Sequence, residues 1–210
     1  MEIRALDPGD VRSGFESGNP DIDEFFLRFA GQNQWRHHVG VTYCLFDNAH
    51  IGGFVTLSAG SVNPRDVPSG GSLPRYAAPV LRLSRLGVAR KMQSTGVGRQ
   101  LLALAVTIAL EMRVRVGCVG IVVDAKPDAV AFYERHGFHV LPVTSRMAGA
   151  GSPPVRLFAD LRHLLHGAAA ARDGLTPADS LASEMRRRAQ ELGLSAEEVH
   201  SALDRLLGAD

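Results

Sequence analysis

The sequence predicts an α/β (α+β) domain followed by a small helical appendage, and three stretches carry that expectation. The first is Leu81 to Met112, read as a strand, a glycine-bearing turn and a helix. Leu81, Leu83, Leu86 and Val88 bracket Arg82, Ser84 and Arg85 in near-alternation, the pattern of a half-buried strand. Gln93-Ser94-Thr95-Gly96-Val97-Gly98 follows, after which Leu101, Leu102, Leu104, Ala105, Ile108 and Ala109 share one helical face. The second is Cys118 to Val123, a continuous apolar run such as a strand buried on both faces shows. The third is a change of character after residue 166, which divides the chain into a domain (1–166), an alanine-rich linker (167–175) and a two-helix extension (176–210).

The other elements follow from local chemistry. Glu2 to Leu6 reads as a first strand. Gly18-Asn19-Pro20-Asp21 is turn chemistry opening an amphipathic helix with Ile22, Phe25, Phe26 and Phe29. Asp21, Asp23 and Glu24 occupy its first turn, where the helix dipole favours acids. Gln32 to His38 reads as polar and irregular and carries the only tryptophan, Trp35. Val39 to Phe46 and Ile51 to Ala59 read as paired strands around Asp47-Asn48-Ala49-His50. Asn63 to Pro79, rich in Pro, Gly and Ser, reads as a long loop. Asp124 to Pro127 opens a helix through Ala129, Phe132 and Tyr133 that Gly137 ends. Phe138 to Val143 and Val155 to Leu161 supply the last strands, with an irregular stretch at Ala148 to Pro154 between them.

Composition narrows the class. With 45% hydrophobic and 21% charged residues, the chain has enough apolar material for a core and too little charge for disorder. No stretch has the length of a membrane span, and Met1 to Asp10 is too charged for a signal peptide, so a cytoplasmic protein is expected. Cys44 and Cys118 lie in apolar runs and read as buried structural thiols rather than a nucleophile or a disulfide. From Asp173 onward eight acids face four bases, a net of −4, whereas the rest has fourteen against nineteen, a net of +5. A moderately basic body therefore carries an acidic tail, which allows a polyanionic partner without requiring one.

The glycine turn is where that charge has local meaning. From Val67 through Leu110 there is no Asp or Glu, while Arg75, Arg82, Arg85, Arg90, Lys91 and Arg99 all occur. Gly96 and Gly98 let backbone N–H groups approach a ligand at a helix start, where the dipole favours negative charge. That is the chemistry of a pyrophosphate cradle, although glycines before a helix are also ordinary turn residues.

In the tail, Thr176-Pro177-Ala178-Asp179 has the order of an N-cap, an N1 proline and a first-turn acid. Ser195-Ala196-Glu197-Glu198 is a capping box opening a second helix. Such a hairpin is too small to bury its apolar face alone. It reads as an oligomerisation element, as a lid on its own body, or as an acidic cover over the basic face near Arg82 and Arg99.

Three motifs in register carry a family likeness. Leu83-Ser-Arg-Leu-Gly-Val-Ala89, Gln93-x-x-Gly96-x-Gly98 and Ala131-Phe-Tyr-Glu-Arg-His-Gly-Phe138 resemble the acetyl-CoA core of the GNAT superfamily of N-acetyltransferases. The resemblance implies a mixed, mostly antiparallel, splayed sheet with helices on both faces, and acetyl-CoA lying in the splay. Gly18-Asn-Pro-x-x-Asp23-x-Phe25, Ala30-Gly-Gln-Asn-Gln34, Arg36-His-His-Val-Gly-Val-Thr-Tyr43 and Arg85-Leu-Gly-Val88 resemble the narrower TacT/AtaT-type toxin branch. That likeness runs from about Phe15 to Leu161 and omits the tail. It implies acetylation of the α-amine of aminoacyl-tRNA and a ribbon-helix-helix antitoxin as partner; the tail hairpin, read as an oligomerisation element, makes a homodimer the expected assembly. Ser94 stands where the family more usually has glycine, and Gly87 where alanine is more usual.

The resemblance also assigns roles. Backbone groups of Leu86, Gly87, Val88 and Ala89 would pair with pantetheine, and the Val88 N–H would polarise the thioester carbonyl. The cofactor-binding set continues through Arg90, Gln93, Ser94, Thr95, Gly96, Val97, Gly98, Arg99 and Phe132, with Lys91 adding charge to the pyrophosphate. Tyr133, by its place in Phe-Tyr-x-x-x-Gly-Phe, would be the general acid for the leaving thiolate; otherwise it is a packing aromatic. Arg85, with Arg82, reads as substrate-side or as a surface ion pair. Trp35, beside Arg36, His37 and His38, reads as a stacking platform for an unpaired nucleotide or as core. No metal is expected, because His37-His38 and His136-x-x-His139 lack nearby Cys or carboxylate partners. A small-molecule amine or a protein N-terminus is the alternative acceptor, and a non-catalytic acetyl-CoA-binding module is the alternative class.

Overall fold

The computed structural model describes residues 1–68, 73–142 and 153–162. Its strands are β1 (Glu2–Ala5), β2 (Val41–Asp47), β3 (His50–Val62), β4 (Ala78–Val88), β5 (Gly120–Ala125), β6 (His139–Val140) and β7 (Val155–Asp160). Hydrogen-bonded neighbours follow the order β1-β2-β3-β4-β5-β7-β6 in one sheet. The β1–β2, β2–β3, β5–β7 and β6–β7 pairs are antiparallel. The helices are α1 (Pro20–Glu24), α2 (Val97–Arg115) and α3 (Val130–Arg135). The expected α/β sheet-and-helix architecture is therefore present. The linker at 167–175 and the helical hairpin at 176–210 lie outside the described residues, as does most of the irregular stretch before β7.

The chain divides into two units, residues 1–59 with 82–105, and residues 60–81 with 106–210. The first has an aromatic core. Phe26 stacks on Phe54 at 4.2 Å between centroids, and Phe15 meets both edge-on at 4.8 and 5.4 Å. Leu6, Ala30, Cys44 and Phe46 complete this cluster. Offset and edge-to-face arrangements favour such rings beyond the area they bury. Arg4 covers the Phe46 ring at 4.0 Å and binds both oxygens of Asp10, at 2.8 and 2.7 Å.

Gln32 to Arg36 is helical rather than irregular, which corrects the sequence reading there, while His37 and His38 are irregular as read. After α1 the chain continues as two π-helical turns, Phe25–Phe29 and Gln32–Arg36. The polar residues there are used internally. Gln34 Nε2 donates to the Leu6 C=O (2.9 Å), and Gln34 Oε1 accepts from the Thr42 N–H (2.8 Å), so one side chain ties the end of β1 to β2. Arg12 donates to the Phe26 C=O at 2.9 Å, serving a carbonyl in the wider turn. His38, at φ 53°, ends the run.

In the second unit Val62, Val67, Ala78, Val80, Val122, Leu141 and Phe158 form the core cluster. Strands β3 and β4 extend about three residues beyond the expected Ala59 and Leu81, which brings Val62, Ala78 and Val80 into it. Pro79 is tolerated in β4 because its C=O still accepts, from the Val119 N–H at 2.9 Å. Strand β6 is shorter than expected: Phe138 instead closes α3, its N–H donating to the Tyr133 C=O at 3.1 Å. Gly137 takes φ 81° after α3, as read, and Gly117 takes φ 90° after α2.

The Arg4–Asp10 pair has a pH signature. The Arg4 hydrogen bond, foremost, holds the Asp10 carboxyl below the ordinary carboxylate range, against the opposing effect of burial. Its stabilising contribution is complete above the unfolded carboxylate value of about 4 and is lost as pH falls through the lowered folded value. Urea unfolding of wild type and Asp10→Asn should therefore show a stability gap at pH 7 that narrows below about pH 4. An equal gap at both pH values would rule this out.

Candidate functional site

In the first unit, the end of β4, the loop after it and the start of α2 form one continuous feature. Along β4, Leu83 is buried while Arg82 and Arg85 are exposed, so the alternation read from sequence holds. Gly87 is there for space: a Cβ would lie 2.6 Å from both Ile22 Cγ2 and Phe54 Cε1. The departure from alanine at this position thus reflects how closely α1 and β3 approach β4.

Past Val88 the chain leaves the strand. The Ala89 N–H donates to the Gly52 C=O (2.9 Å), and the Val88 C=O accepts from Gln93 Nε2 (3.1 Å). The peptide group between Val88 and Ala89 is therefore held at both its ends. Arg90–Met92 make a single 3₁₀ turn, capped by Thr95 Oγ1 donating to the Met92 C=O at 2.7 Å. Ser94 then takes φ 62° and Gly96 φ 88°, two left-handed residues that turn the chain into α2. A glycine at 94 would adopt this conformation without strain, which gives the family preference its physical reason.

Helix α2 begins at Val97, and its first ladder bond runs from the Gln100 N–H to the Gly96 C=O (3.1 Å). The amides of Val97 and Gly98 precede that ladder, as at any helix start. The first turn contains no acid, and Arg99 folds back with a guanidinium nitrogen 3.8 Å from where a Gly96 Cβ would stand. Left-handed loop, early amides and a nearby guanidinium together make an anion cradle. Arg90 is exposed beside Glu16 at 3.6 Å, and Lys91 is exposed as well.

Residues 16–23 brace this loop, a connection that sequence reasoning missed. The Arg90 N–H donates to the Glu16 C=O (2.9 Å), and Gln93 Nε2 donates to the Ser17 C=O (2.8 Å). Gly18, at φ 86°, lies directly against the Arg90 guanidinium, where a Cβ would come within 2.6 Å of Nε. Asn19 caps α1, its side chain accepting from the Asp21 and Ile22 N–H groups. The Gly-Asn-Pro-x-x-Asp motif was the available signal. It is a loop brace as well as a helix start.

Among the described residues Arg85 has no ion-pair partner; its guanidinium lies 5.2 Å from the Phe25 ring centroid and donates to the Ser84 C=O (2.8 Å). That leaves it exposed on the strand bearing Leu86 to Val88. Trp35 is one of the exposed large hydrophobic side chains, at 36% exposure, with its ring against Gly31.

In the second unit, Tyr133 is buried between Phe132 (5.1 Å) and Phe138 (5.5 Å), both edge-on, and Phe132 also meets His136 at 4.7 Å. Burial pushes the Tyr133 phenol up from its ordinary value, so it is protonated at neutral pH. Burial likewise raises both thiols, Cys44 to about 12, which removes them as nucleophiles. Among the described residues there is no cluster of three or more His, Cys, Asp or Glu that could hold a metal.

Residues 27–156 match the family described as acetyltransferase (GNAT) domain. A tRNA-acetylating toxin of Mycobacterium tuberculosis (strain ATCC 25618 / H37Rv) is 35% identical over 145 residues, covering 66% of this chain and 84% of the relative. Among solved structures, AtaT complexed with acetyl-methionyl-tRNAfMet superposes with a TM-score of 0.67 at 23% identity, covering 78% of this chain and 96% of AtaT. The crystal structure of a bacterial toxin gives 0.66 at 26% identity, covering 83% and 99%.

Both departures, Gly87 in β4 and Ser94 in the loop, can be tested by stability. Ser94→Gly should raise the unfolding free energy by about 1 kcal/mol through relief of the left-handed strain. Gly87→Ala should lower it by roughly 1–3 kcal/mol through overpacking against Ile22 and Phe54. Chemical denaturation checks both, and either sign reversed would contradict the geometry.

Proposed function

Because the chain belongs to the GNAT acetyltransferase family, we propose that it transfers the acetyl group of acetyl-CoA to the α-amine of aminoacyl-tRNA and so acts as a toxin on translation. One observation carries the chemistry: the family match over residues 27–156 contains both the anion cradle at 93–99 and Tyr133. The acceptor is supported by the 35%-identical tRNA-acetylating toxin, 84% of whose length this chain covers. The proposal includes a ribbon-helix-helix antitoxin as partner, drawn from the toxin branch that the sequence resembles, a homodimeric assembly, drawn from the C-terminal hairpin read as an oligomerisation element, and a cytoplasmic location, drawn from composition.

The residues divide the work. Gly96, Val97 and Gly98 offer backbone donors to the pyrophosphate, with Ser94 and Thr95 shaping the loop and Arg90, Lys91 and Arg99 supplying charge. Leu86 to Ala89 align the pantetheine arm, for which the Val88 C=O and Ala89 N–H are already committed elsewhere. The Val88 N–H polarises the thioester carbonyl and stabilises the oxyanion that forms as the amine attacks. The new N–C bond replaces the C–S bond, and the amine's surplus proton leaves to water. Tyr133 gives its hydroxyl proton to the departing thiolate and regains one from solvent. A phenol with a raised pKa is a proton donor at neutral pH and not a base. An α-amine titrates near 8, well below lysine, so a useful fraction is neutral without a dedicated carboxylate base. Arg85, Arg82 and Trp35 are assigned to the acceptor side.

Labelled acetyl-CoA mixed with a pool of charged tRNA tests this. Wild type should place the label on the aminoacyl group, and Tyr133→Phe should lose about 10²–10⁴-fold in rate with an unchanged melting temperature. Release of CoA without transfer to charged tRNA would redirect the proposal to small amines or protein N-termini. Absence of acetyl-CoA binding would overturn it.

A further inference from the structure

A chain of hydrogen bonds runs from α1 to the end of β4, and the reaction as written does not use it. Asp23 Oδ1 accepts from both the Ser17 hydroxyl (2.6 Å) and the Ser17 N–H (2.8 Å). The Ser17 C=O accepts from Gln93 Nε2 (2.8 Å), and the same nitrogen donates to the Val88 C=O (3.1 Å). The carboxamide has two N–H donors, so each carbonyl takes one. With two carbonyls facing it, the amide is oriented with its nitrogen toward them. Beyond Val88, the Ala89 N–H is anchored to the Gly52 C=O at 2.9 Å. Asp23 and Ser17 thus aim Gln93, and Gln93 with Gly52 sets the rotation of the Val88–Ala89 peptide.

We propose that Asp23 and Ser17 are positioning residues for acetyl transfer, acting through Gln93 on the backbone at Val88. The proposal rests on the acetyltransferase reading above. Val88 is the last residue of β4, so no further strand pairing fixes its ψ. The Gln93 and Gly52 bonds do that instead, and with the strand on the other side both torsions of Val88 are pinned. Its N–H, the group assigned to the thioester oxygen, is aimed as a consequence. Asp23 suits this role because one of its side-chain oxygens takes both Ser17 donors, the hydroxyl and the N–H. Neither residue needs to touch acetyl-CoA, and both are only half-buried, so their loss leaves the aromatic core intact.

Steady-state kinetics with acetyl-CoA and charged tRNA separate positioning from general support. Asp23→Ala should lower kcat about 10- to 100-fold, because small misplacements of a reacting group are costly, while the KM for acetyl-CoA changes less than about threefold. Asp23→Asn keeps an acceptor oxygen and should restore kcat to within about threefold of wild type. Melting temperatures should stay close to wild type. If Asp23→Ala does not fold, Ser17→Ala, which removes only the hydroxyl, is read by the same comparison. Wild-type kcat in the alanine variants would overturn the proposal, as would equal losses in Asp23→Ala and Asp23→Asn that track a fallen melting temperature. Failure of wild type to turn over acetyl-CoA would instead overturn the acetyltransferase reading itself.

Discussion

The first unit depends on how β4 ends. A strand that stops in the middle of a sheet leaves backbone groups exposed to a ligand, but it also frees the last peptide to rotate. Here the Val88–Ala89 peptide is held by Gln93 on its C=O side and by Gly52 on its N–H side. Met92 packs on Gly52, its Cγ 3.4 Å from where a Cβ would be, so a side chain at residue 52 would crowd the turn after the bend. Ending the strand and ordering the loop are therefore one constraint, met by the same few residues.

The same requirement explains the N-terminal arm. Its rings Phe15 and Phe26 build the aromatic core with Phe54 of β3, Phe26 stacked on Phe54 and Phe15 across both. Close packing brings Ile22 and Phe54 to Gly87, and that proximity lets residues 16–18 reach Arg90 and Gln93. Arg12 and Gln34 in turn satisfy backbone groups that the wider π-helical turns and the neighbouring strand ends present. Polar residues in this arm serve as tertiary fasteners between apolar contacts, which is why it reads as irregular when taken alone.

What was legible in the sequence was local. Strand alternation at 81–88, the glycines at 96 and 98, the Asn19 cap and Gly137 all act within a few residues, and each is where local chemistry puts it. The Gln93–Ser17 bond spans 76 positions, and neither residue type advertises a partner. Ser94 hides its left-handed backbone because serine, unlike glycine, does not signal positive φ. Arg85 could be placed on the exposed face of β4, but its contact with Phe25 depends on how α1 packs. For Tyr133, the motif supplied the position, and only the packing of Phe132 and Phe138 supplied the reason its phenol stays protonated.

Magnitudes indicate how firmly the loop is ordered before a ligand arrives. Four hydrogen bonds hold the bend: Gln93 to Ser17, Gln93 to Val88, Ala89 to Gly52, and Arg90 to Glu16. At about 1 kcal/mol net each, they supply about 4 kcal/mol. Fixing the backbone of Val88, Ala89 and Arg90 costs about 1–2 kcal/mol per residue, or about 3–6 kcal/mol together. The two sides nearly balance, so no single bond is redundant, and the packing of Ile22 and Met92 tips the sum toward order. The exposed pair of Arg90 and Glu16 adds little to that sum, because solvent screens a contact of 3.6 Å between two largely exposed side chains. Order at the bend thus rests on neutral hydrogen bonds and shape. The acid-free stretch from Val67 to Leu110 places no carboxylate of its own at the cradle.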